Sequence, residues 1–597
     1  MLKKIYKIVV SGRLKEISVL VKNKRYKQRS AQEKYKRWRK KREGDIPNEI
    51  CNRRSCIAFV ILVSEDSSLL ELEHTLESIY KQSQYKPAGI LLVAHNRSKL
   101  EEDLREKMER LCKEEGILYS TGIDSVRDYE YHAYIQCGDI LAINFLKELE
   151  FAIRQKFEFI YSDEDQIIRQ SGVRSNPFFK PGWSPDTLLD FNYIGNSFIC
   201  SRELFLKANC DKKKNSNPND ELLNSKIGCI IWLYDYILRV TEHAAKIKHI
   251  PKVLYHSALQ DINLQYSRLL QNEFLTSEFR IDPELQKLIY TIKQSHLQRV
   301  GKKGTIVESK KSRLGHIQYE LPQEVFVSII ILTKDNYDVF VRCVNSILDQ
   351  TCQIPFEIIV VDNGSDQNSY ETYKEYSKLH NLHYFHQKMP FNFSYMCNYG
   401  AMHAKGNVLV FLNDDTQVIT RNWLSIMCGQ AMQDNTALVG AKLLYPEINK
   451  IQHCGIINLK GNPAHAFYQM KDETDHYHNL SNAVMNCIAV TGACMMVEKK
   501  KFDFLGGWDE RFPVAYNDID FSMRAVKAGY FNVVRNDVVL YHYESVSRGT
   551  DFTYRKIRRL AREQRRLYTL NEEFFGKDPF YNPNLNPFSI DYDIDYL

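Results

Sequence analysis

One order of elements occurs twice in this chain, and that duplication constrains the fold more than any other feature. From Cys56 the apolar run CIAFVILV leads into the helix-patterned HTLESIYKQS and then a second strand, AGILLVAHNRS. From Val325 the order recurs as VFVSIIILTKDN, FVRCVNSILDQ and FEIIVVDNGSD. Apolar strands alternating with amphipathic helices build βαβ units on a parallel sheet. The expected class is therefore α/β, with one architecture used twice. A length of 597 residues is enough for two to four domains at about 150 residues each.

Between the halves, QRVGKKGTIVESKKSRLGH (298–316) is basic, glycine-containing and without clear periodicity, and it reads as a linker. The expected organisation is an N-terminal segment (1–50), a first domain (51–297), a linker (298–324) and a second domain (325–597). With 44% apolar and 26% charged residues, the composition is that of an ordinary globular protein. The longest apolar run, Cys56–Val63, is far short of the roughly 20 residues that cross a bilayer. The N-terminus lacks the apolar core and cleavage site of a signal peptide, so the expected location is the cytoplasm. The 14 cysteines are scattered, without a C-x-x-C pair or zinc-ligand spacing, and read as reduced packing residues.

Charge is unevenly placed. Residues 1–43 hold 17 Lys/Arg and 3 acids, a net of +14 in a chain of net +7, which leaves the remainder at −7. Within this segment Leu2, Ile5, Ile8, Val9, Leu14, Ile17 and Leu20 recur at near-helical spacing, and Tyr26, Tyr35 and Trp38 lie among the cations. A basic amphipathic helix with interfacial aromatics fits an anionic membrane surface. A solvated helix or tail is the plainer alternative, and nucleic-acid attachment a third. The acidic balance of the rest argues against extensive nucleic-acid binding.

The second half carries the chemistry. Its first strand ends in Thr333, Lys334, Asp335 and Asn336, the next in Asp362, Asn363, Gly364 and Ser365, and a third, GNVLVFLNDDT, in Asn413, Asp414 and Asp415. Ligands of open α/β sheets bind at the carboxyl ends of such strands. Three neighbouring strands delivering carboxylates to one edge repel unless they are paired. A Mg²⁺ ion held by one or two carboxylates together with substrate phosphates resolves that repulsion. Further on, Gly492 and Ala493 form a small-residue turn, Asp518 and Asp520 open a helix, and His542 follows another strand. Taken alone, Asp518 reads first as a helix-start acid favoured by the dipole.

The series TKDN, VVDNGS, FLNDDT, VTGACMMV, GGWDERF, YNDIDFSMR and HYESVSRG, closing with DPFYNPNLN (578–586), resembles the family 2 glycosyltransferases of bacterial surface polysaccharide synthesis. It is most like the rhamnosyltransferase and O-antigen or capsule type. The resemblance implies two tandem GT-A domains, Rossmann-like nucleotide-diphospho-sugar transferase folds, behind the basic helical segment. It places Thr333, Asp335, Asp362 and Asp414 at the nucleotide-sugar, Asp415 and His542 on a divalent metal (Mg²⁺ or Mn²⁺), and Asp518 as the catalytic base. The family's usual Glu-Asp pair stands here as Asn517-Asp518. Gly492, Ala493, Trp508 and Asp509 resemble the acceptor-side wall. Arg548 is a further candidate on the diphosphate, with a surface ion pair as its alternative.

The implied activity is inverting, metal-dependent hexosyl transfer, rhamnose being one candidate sugar, from a nucleotide-diphospho-sugar to a growing lipid-linked saccharide. The implied setting is the inner face of the cell membrane, with peripheral attachment through the N-terminus.

The first half also resembles the family, in YSDEDQI, PFFKPGWSPDTLLDF and HIPKVLYH, but its nucleotide positions are eroded. His95 and Asn96 replace acids, and Asp139 stands alone where a D-x-D is due. The favoured expectation is a domain that no longer transfers sugar. The competing one is a second working site built on Asp139, Asp163, Glu164 and Asp165 with Asp235 as base; for the whole chain the alternative is a noncatalytic glycan-binding scaffold of two decayed transferase domains.

Overall fold

A computed structural model describes residues 30–43, 53–82, 85–169, 171–209, 220–259, 283–309, 311–312, 314–351, 354–460, 462–473, 476–543 and 553–595. The chain divides into two compact units. One comprises Ser30–Lys303 together with Tyr581–Asn586, and the other Gly304–Phe580 together with Pro587–Asp593.

The first unit opens with helix α1 (Ala31–Arg42) and continues through β1 (Ile57–Leu62), α2 (Leu69–Tyr80), β2 (Gly89–Val93), β3 (Leu118–Ser120), β4 (Tyr131–Gln136), β5 (Ile140–Leu141), β6 (Phe159–Ile168), β7 (Val173–Phe178), β8 (Ile199–Ser201), α3 (Lys226–Thr241) and β9 (Ile247–Leu259). Its strands form one sheet in the order β3-β2-β1-β4-β8-β6-β9-β5, with β7 on β6. β1 is buried along its whole length, as a central parallel strand covered on both faces must be. Helix α2 starts on a capping box, in which the Ser68 hydroxyl and the Glu71 carboxylate satisfy each other's backbone N–H groups.

The second unit contains β10 (Gly304–Glu308), β11 (Gly315–Tyr319), β12 (Val327–Thr333), α4 (Tyr337–Gln350), β13 (Phe356–Asp362), α5 (Gln367–Leu379), β14 (His383–His386), α6 (Phe393–His403), β15 (Val408–Asn413), β16 (Thr416–Val418), β17 (Thr436–Tyr445), β18 (Lys450–His453), β19 (Ile456–Leu459), β20 (Asn462–His465), β21 (Met485–Cys487), β22 (Cys494–Glu498), α7 (Asn517–Lys527), β23 (Phe531–His542) and α8 (Tyr554–Leu570). Its main sheet runs β14-β13-β12-β15-β22-β17-β23-β16, with β18 on β17 and β21 on β23. Position by position this is the order of the first sheet, including the side strand. The duplication read from the sequence is thus a duplication of topology, two α/β units with one strand order. Ile329, Val360, Val410 and Met496 from four neighbouring strands meet Phe340 and Trp423 in the core of this unit.

Three features differ from the sequence reading. Most of 304–319 is not a bare connection: β10 and β11 pair antiparallel from Gly304↔Tyr319 to Glu308↔Gly315. Tyr35 and Trp38 are not interfacial aromatics, because α1 buries both, leaving 1% and 2% of their surface exposed. Trp38 packs on Phe179 at 4.9 Å, and the Tyr35 hydroxyl donates to Asp165 Oδ2 at 2.5 Å, so this part of the basic segment is a docked helix. The DPFYNPNLN motif, finally, is split between units, since Tyr581–Asn586 belongs to the first. Residues 1–29, with the amphipathic repeat expected there, lie outside the described residues, as does Arg548.

Candidate active site

In the second unit the carboxyl ends of β12, β13 and β15 lie side by side, Thr333 in register with Asp362 and Leu332 with Asn413. The Tyr373 hydroxyl accepts from the Asn336 N–H at 2.9 Å and lies 3.0 Å from Thr333 Oγ1, which donates to Asp414 Oδ2 at 2.8 Å. Since Thr333 spends its only proton on Asp414, Tyr373 donates to Thr333, and the direction of the chain is fixed. Burial pushes the Tyr373 phenol up to about 12, so the hydroxyl keeps its proton.

Asp335 sits in the left-handed region (φ 49°) and stitches two turns together. Its N–H donates to Ser365 Oγ at 3.0 Å, and its Oδ1 accepts from the Asp366 N–H at 2.9 Å. Asp362 departs from its expected role. Its carboxylate is fully buried and accepts from the Ser365 N–H (2.9 Å), the Ser365 hydroxyl (2.7 Å) and the Tyr384 hydroxyl. It shapes the turn around Gly364 (φ 73°) rather than offering a free acceptor to a ligand. A Cβ at Gly364 would fall 2.9 Å from the Lys388 backbone, so this turn also needs glycine for space.

Asp415 begins the return into β16, where Thr416 pairs with His542 of β23. His542 Nε2 stands 3.0 Å from Asp415 Oδ1, while His542 Nδ1 lies 2.6 Å from Gln452 Oε1 on β18. With the carbonyl oxygen of Gln452 so placed, Nδ1 donates to it and Nε2 is turned toward Asp415. Nearby His453 is fully buried, and burial together with His465 and His542 keeps its imidazole neutral.

Asp518 is the second residue of α7, after Tyr516 in the left-handed region (φ 60°). Its Oδ2 accepts from the Gly492 N–H at 3.0 Å, and it is half-buried. Asp520, by contrast, is buried against Arg524 (2.9 Å) and Asn571 (3.1 Å), a structural pairing. Ala493 ties this turn to the NDD turn by accepting from the Asn413 N–H at 3.0 Å. Trp508 lies behind the turn, not on an acceptor-facing wall: it is buried among Phe393, Phe411 and Phe521, at 5.5, 5.1 and 5.2 Å. Asp509 is taken up by Arg511, accepting from Nε and Nη2.

Among the described residues no cluster of three or more His, Cys, Asp and Glu side chains is arranged to hold a metal. The pair Asp415 and His542 nevertheless fits a divalent cation. Ligands on adjacent corners of an octahedron of about 2.1 Å radius are about 3.0 Å apart, and the Asp415–His542 separation is 3.0 Å. Two protein ligands leave corners for diphosphate oxygens and water, the usual arrangement for Mg²⁺.

The matching edge of the first unit is occupied by its own side chains. His256 of β9 is opposite Ile140, the first residue of β5, as His542 is opposite Thr416. Instead of an amide, the His256 Nδ1 faces Asp165 Oδ1 at 2.5 Å, and Asp165 is also bound by Arg174. Asp139, which precedes β5 as Asp415 precedes β16, accepts from the Tyr255 hydroxyl and the Ala258 N–H. Gly138 lies against the Arg169 guanidinium, and Glu71 pairs with both Arg169 (2.9 Å) and Lys226 (2.7 Å). Asp163 accepts from the Lys180 N–H, His249, Asn582 and Asn584; Glu164 pairs with Lys180, and Asp235 with Arg239. Every acid named for a second working site is buried and engaged inside the unit.

Residues 328–485, within the second unit, match the model of the glycosyl transferase family 2. The chain is 28% identical over 556 residues to the O-antigen biosynthesis protein RfbC of Myxococcus xanthus, covering 89% of this chain and 40% of that protein. It is 32% identical over 443 residues to the uncharacterized protein y4gI of Sinorhizobium fredii, covering 72% of this chain and 45% of that one. The chain therefore spans less than half the length of these curated relatives. Among solved structures it is similar to GalNAc-T7 with UDP, GalNAc and Mn²⁺ (16% identity, TM-score 0.35, 51% of this chain and 61% of that chain). It is also similar to the mannosyltransferase PcManGT of Pyrobaculum calidifontis with GDP-Man and Mn²⁺ (14%, TM-score 0.30, 42% and 68%). No described helix is long and apolar enough to cross a membrane.

Proposed function

We propose that the second unit transfers a hexose, with rhamnose as one candidate, from a nucleotide-diphospho-sugar to a growing lipid-linked saccharide in bacterial surface polysaccharide synthesis. The observation that supports this reading is the joining of the VTGA and NDD turns by the Asn413 N–H to Ala493 hydrogen bond. Asp518 stands at one turn, and Asp415 with His542 at the other.

The Thr333–Asp414 pair and the Asp335 turn hold the nucleotide-sugar at the sheet edge, and Asp362 keeps that edge in shape from below. Asp415 and His542 would hold a divalent cation, and that ion would offset the charge of the departing diphosphate. Asp518 takes the proton of the acceptor hydroxyl as its oxygen attacks the anomeric carbon, a role that requires reach first. The bond from that carbon to the diphosphate oxygen breaks, and the diphosphate leaves with the electron pair. One displacement without a covalent intermediate inverts the anomeric configuration. The first unit is inferred to support the second without transferring sugar, because its equivalent edge is closed by Glu71, Arg169 and Lys226.

The test is release of nucleoside diphosphate from a panel of nucleotide-sugars with Mg²⁺ or Mn²⁺ and a membrane extract, following the glycolipid product as well. A product with the donor's own anomeric configuration rules out the single displacement. Absence of any glycolipid favours the scaffold reading.

A further inference from the structure

Helix α8 carries seven Lys/Arg residues and one acid, Glu563. Its inner face is committed to the catalytic unit. Ile557 and Leu567 are buried, Glu563 accepts from the Ala515 N–H at 2.8 Å, and Gln564 donates to Asn462 at 3.2 Å. Asn462 in turn accepts from the Tyr516 hydroxyl, two residues before Asp518. Glu563, the one acid of the helix, is buried on this inner face and lies 3.8 Å from Arg559.

The outer face is of one kind. Arg555, Arg558, Arg562 and Arg565 are all exposed, and at about 100° per residue they share one arc of the helix with Tyr554. They extend over about 15 Å of helix axis. No ion pair or hydrogen bond among the described residues engages these four guanidinium groups. Tyr554 is 64% exposed at one end of the helix, and Leu570 (36%) and Phe575 (63%) are exposed at the other.

We propose that this face of α8 docks the catalytic unit on an anionic lipid surface. Charge complementarity chooses the partner: four unpaired guanidinium groups on one arc attract a sheet of anionic headgroups, each cation near such a surface adding to binding. The aromatic and aliphatic side chains at both ends have the amphipathic character that settles at the headgroup level. Because the inner face of α8 is tied to Ala515 and, through Asn462, to Tyr516, docking would hold the start of α7 close to the leaflet. The proposal depends on none of the catalytic roles assigned above, so it stands or falls separately from them.

Flotation of the full chain with phosphatidylglycerol-containing and pure phosphatidylcholine vesicles tests it. The combined variant Arg555→Gln, Arg558→Gln, Arg562→Gln, Arg565→Gln should lose anionic-vesicle binding by at least about tenfold, with an unchanged melting temperature. The matching Arg→Lys variant keeps the charge and should retain binding, which separates electrostatic docking from a folding defect. Both variants are compared again in a chain whose Lys3, Lys4, Lys7, Arg13 and Lys15 are Gln, so that the N-terminal cations do not mask the loss. The proposal is overturned if the Gln variant floats like the wild type in both backgrounds, or if the wild type does not prefer anionic vesicles. It is equally overturned if the substitutions abolish retention on single-stranded DNA and leave vesicle binding intact.

Discussion

His542 presents Nε2 to Asp415 Oδ1 at 3.0 Å because its other ring nitrogen is held by Gln452 Oε1 at 2.6 Å. An amide oxygen on Nδ1 fixes the tautomer whose Nε2 is a ligand, the arrangement that tunes metal-bound histidines generally. In the first unit the topologically equivalent His256 faces the carboxylate of Asp165, itself bound by Arg174 and Tyr35. The same strand position thus lies between a carboxylate and an amide in one copy and within an ion network in the other.

The first prediction concerns that support. Gln452→Leu keeps the bulk and removes the acceptor, and should weaken Mn²⁺ binding, read by electron paramagnetic resonance, by about 10–100-fold. His542→Ala should abolish it. If Gln452→Leu binds Mn²⁺ as the wild type does while His542→Ala fails, the amide has no positioning role.

Asp518→Asn preserves the size of the side chain and its acceptor for the Gly492 N–H but removes the base. Transfer should fall by about 10²–10⁴-fold, the span of general-base catalysis, with donor affinity little changed. A parallel loss of donor binding would assign Asp518 to the nucleotide-sugar instead.

The stability of the first unit should depend on pH through Asp139. Burial raises its carboxyl to about 6, above its usual value near 4. Below about pH 4 the folded and unfolded chains are both protonated at this group, and nothing is lost. As pH rises toward 6 the unfolded chain ionises first, so stability falls, by about 3 kcal/mol in all at 1.36 kcal/mol per unit, and then levels off. Asp139→Asn should flatten this decline and raise the melting temperature of the first unit at neutral pH. A melting profile with the same pH dependence as wild type contradicts this.

Asn582 and Asn584 bring amide donors to Asp163, whose carboxylate is fully buried. Replacing both by Ala strips two partners from a buried acid, an effect of about 2–5 kcal/mol. Calorimetry should show the first unit melting earlier, with metal binding in the second unit intact. Unchanged melting would mean that Lys180 and His249 suffice.

Much of the architecture was legible because parallel strands covered on both faces are continuous apolar runs, as in CIAFVILV and VSIIILT. The ends of those strands were legible too, since their polar residues interrupt the runs abruptly. The inward turn of Asp362 was not, because it depends on Tyr384, brought alongside by β14. Nor was the burial of Tyr35 and Trp38: aromatics among cations have the same pattern whether a membrane or Phe179 covers them. The β10–β11 hairpin is short and basic, and only its pairing distinguishes it from a linker. Gln452 lies on a side strand ninety residues from His542, a distance at which only the fold reveals a pairing.

The central claim is that one chain with two copies of this fold uses only the second for transfer. The most direct measurement compares glycolipid formation by the wild type, Asp518→Asn and Asp139→Asn on the same panel of donors. The account predicts turnover of one donor, lost in Asp518→Asn and unchanged in Asp139→Asn. Turnover of a second donor that disappears in Asp139→Asn, or wild-type transfer by Asp518→Asn, would contradict it.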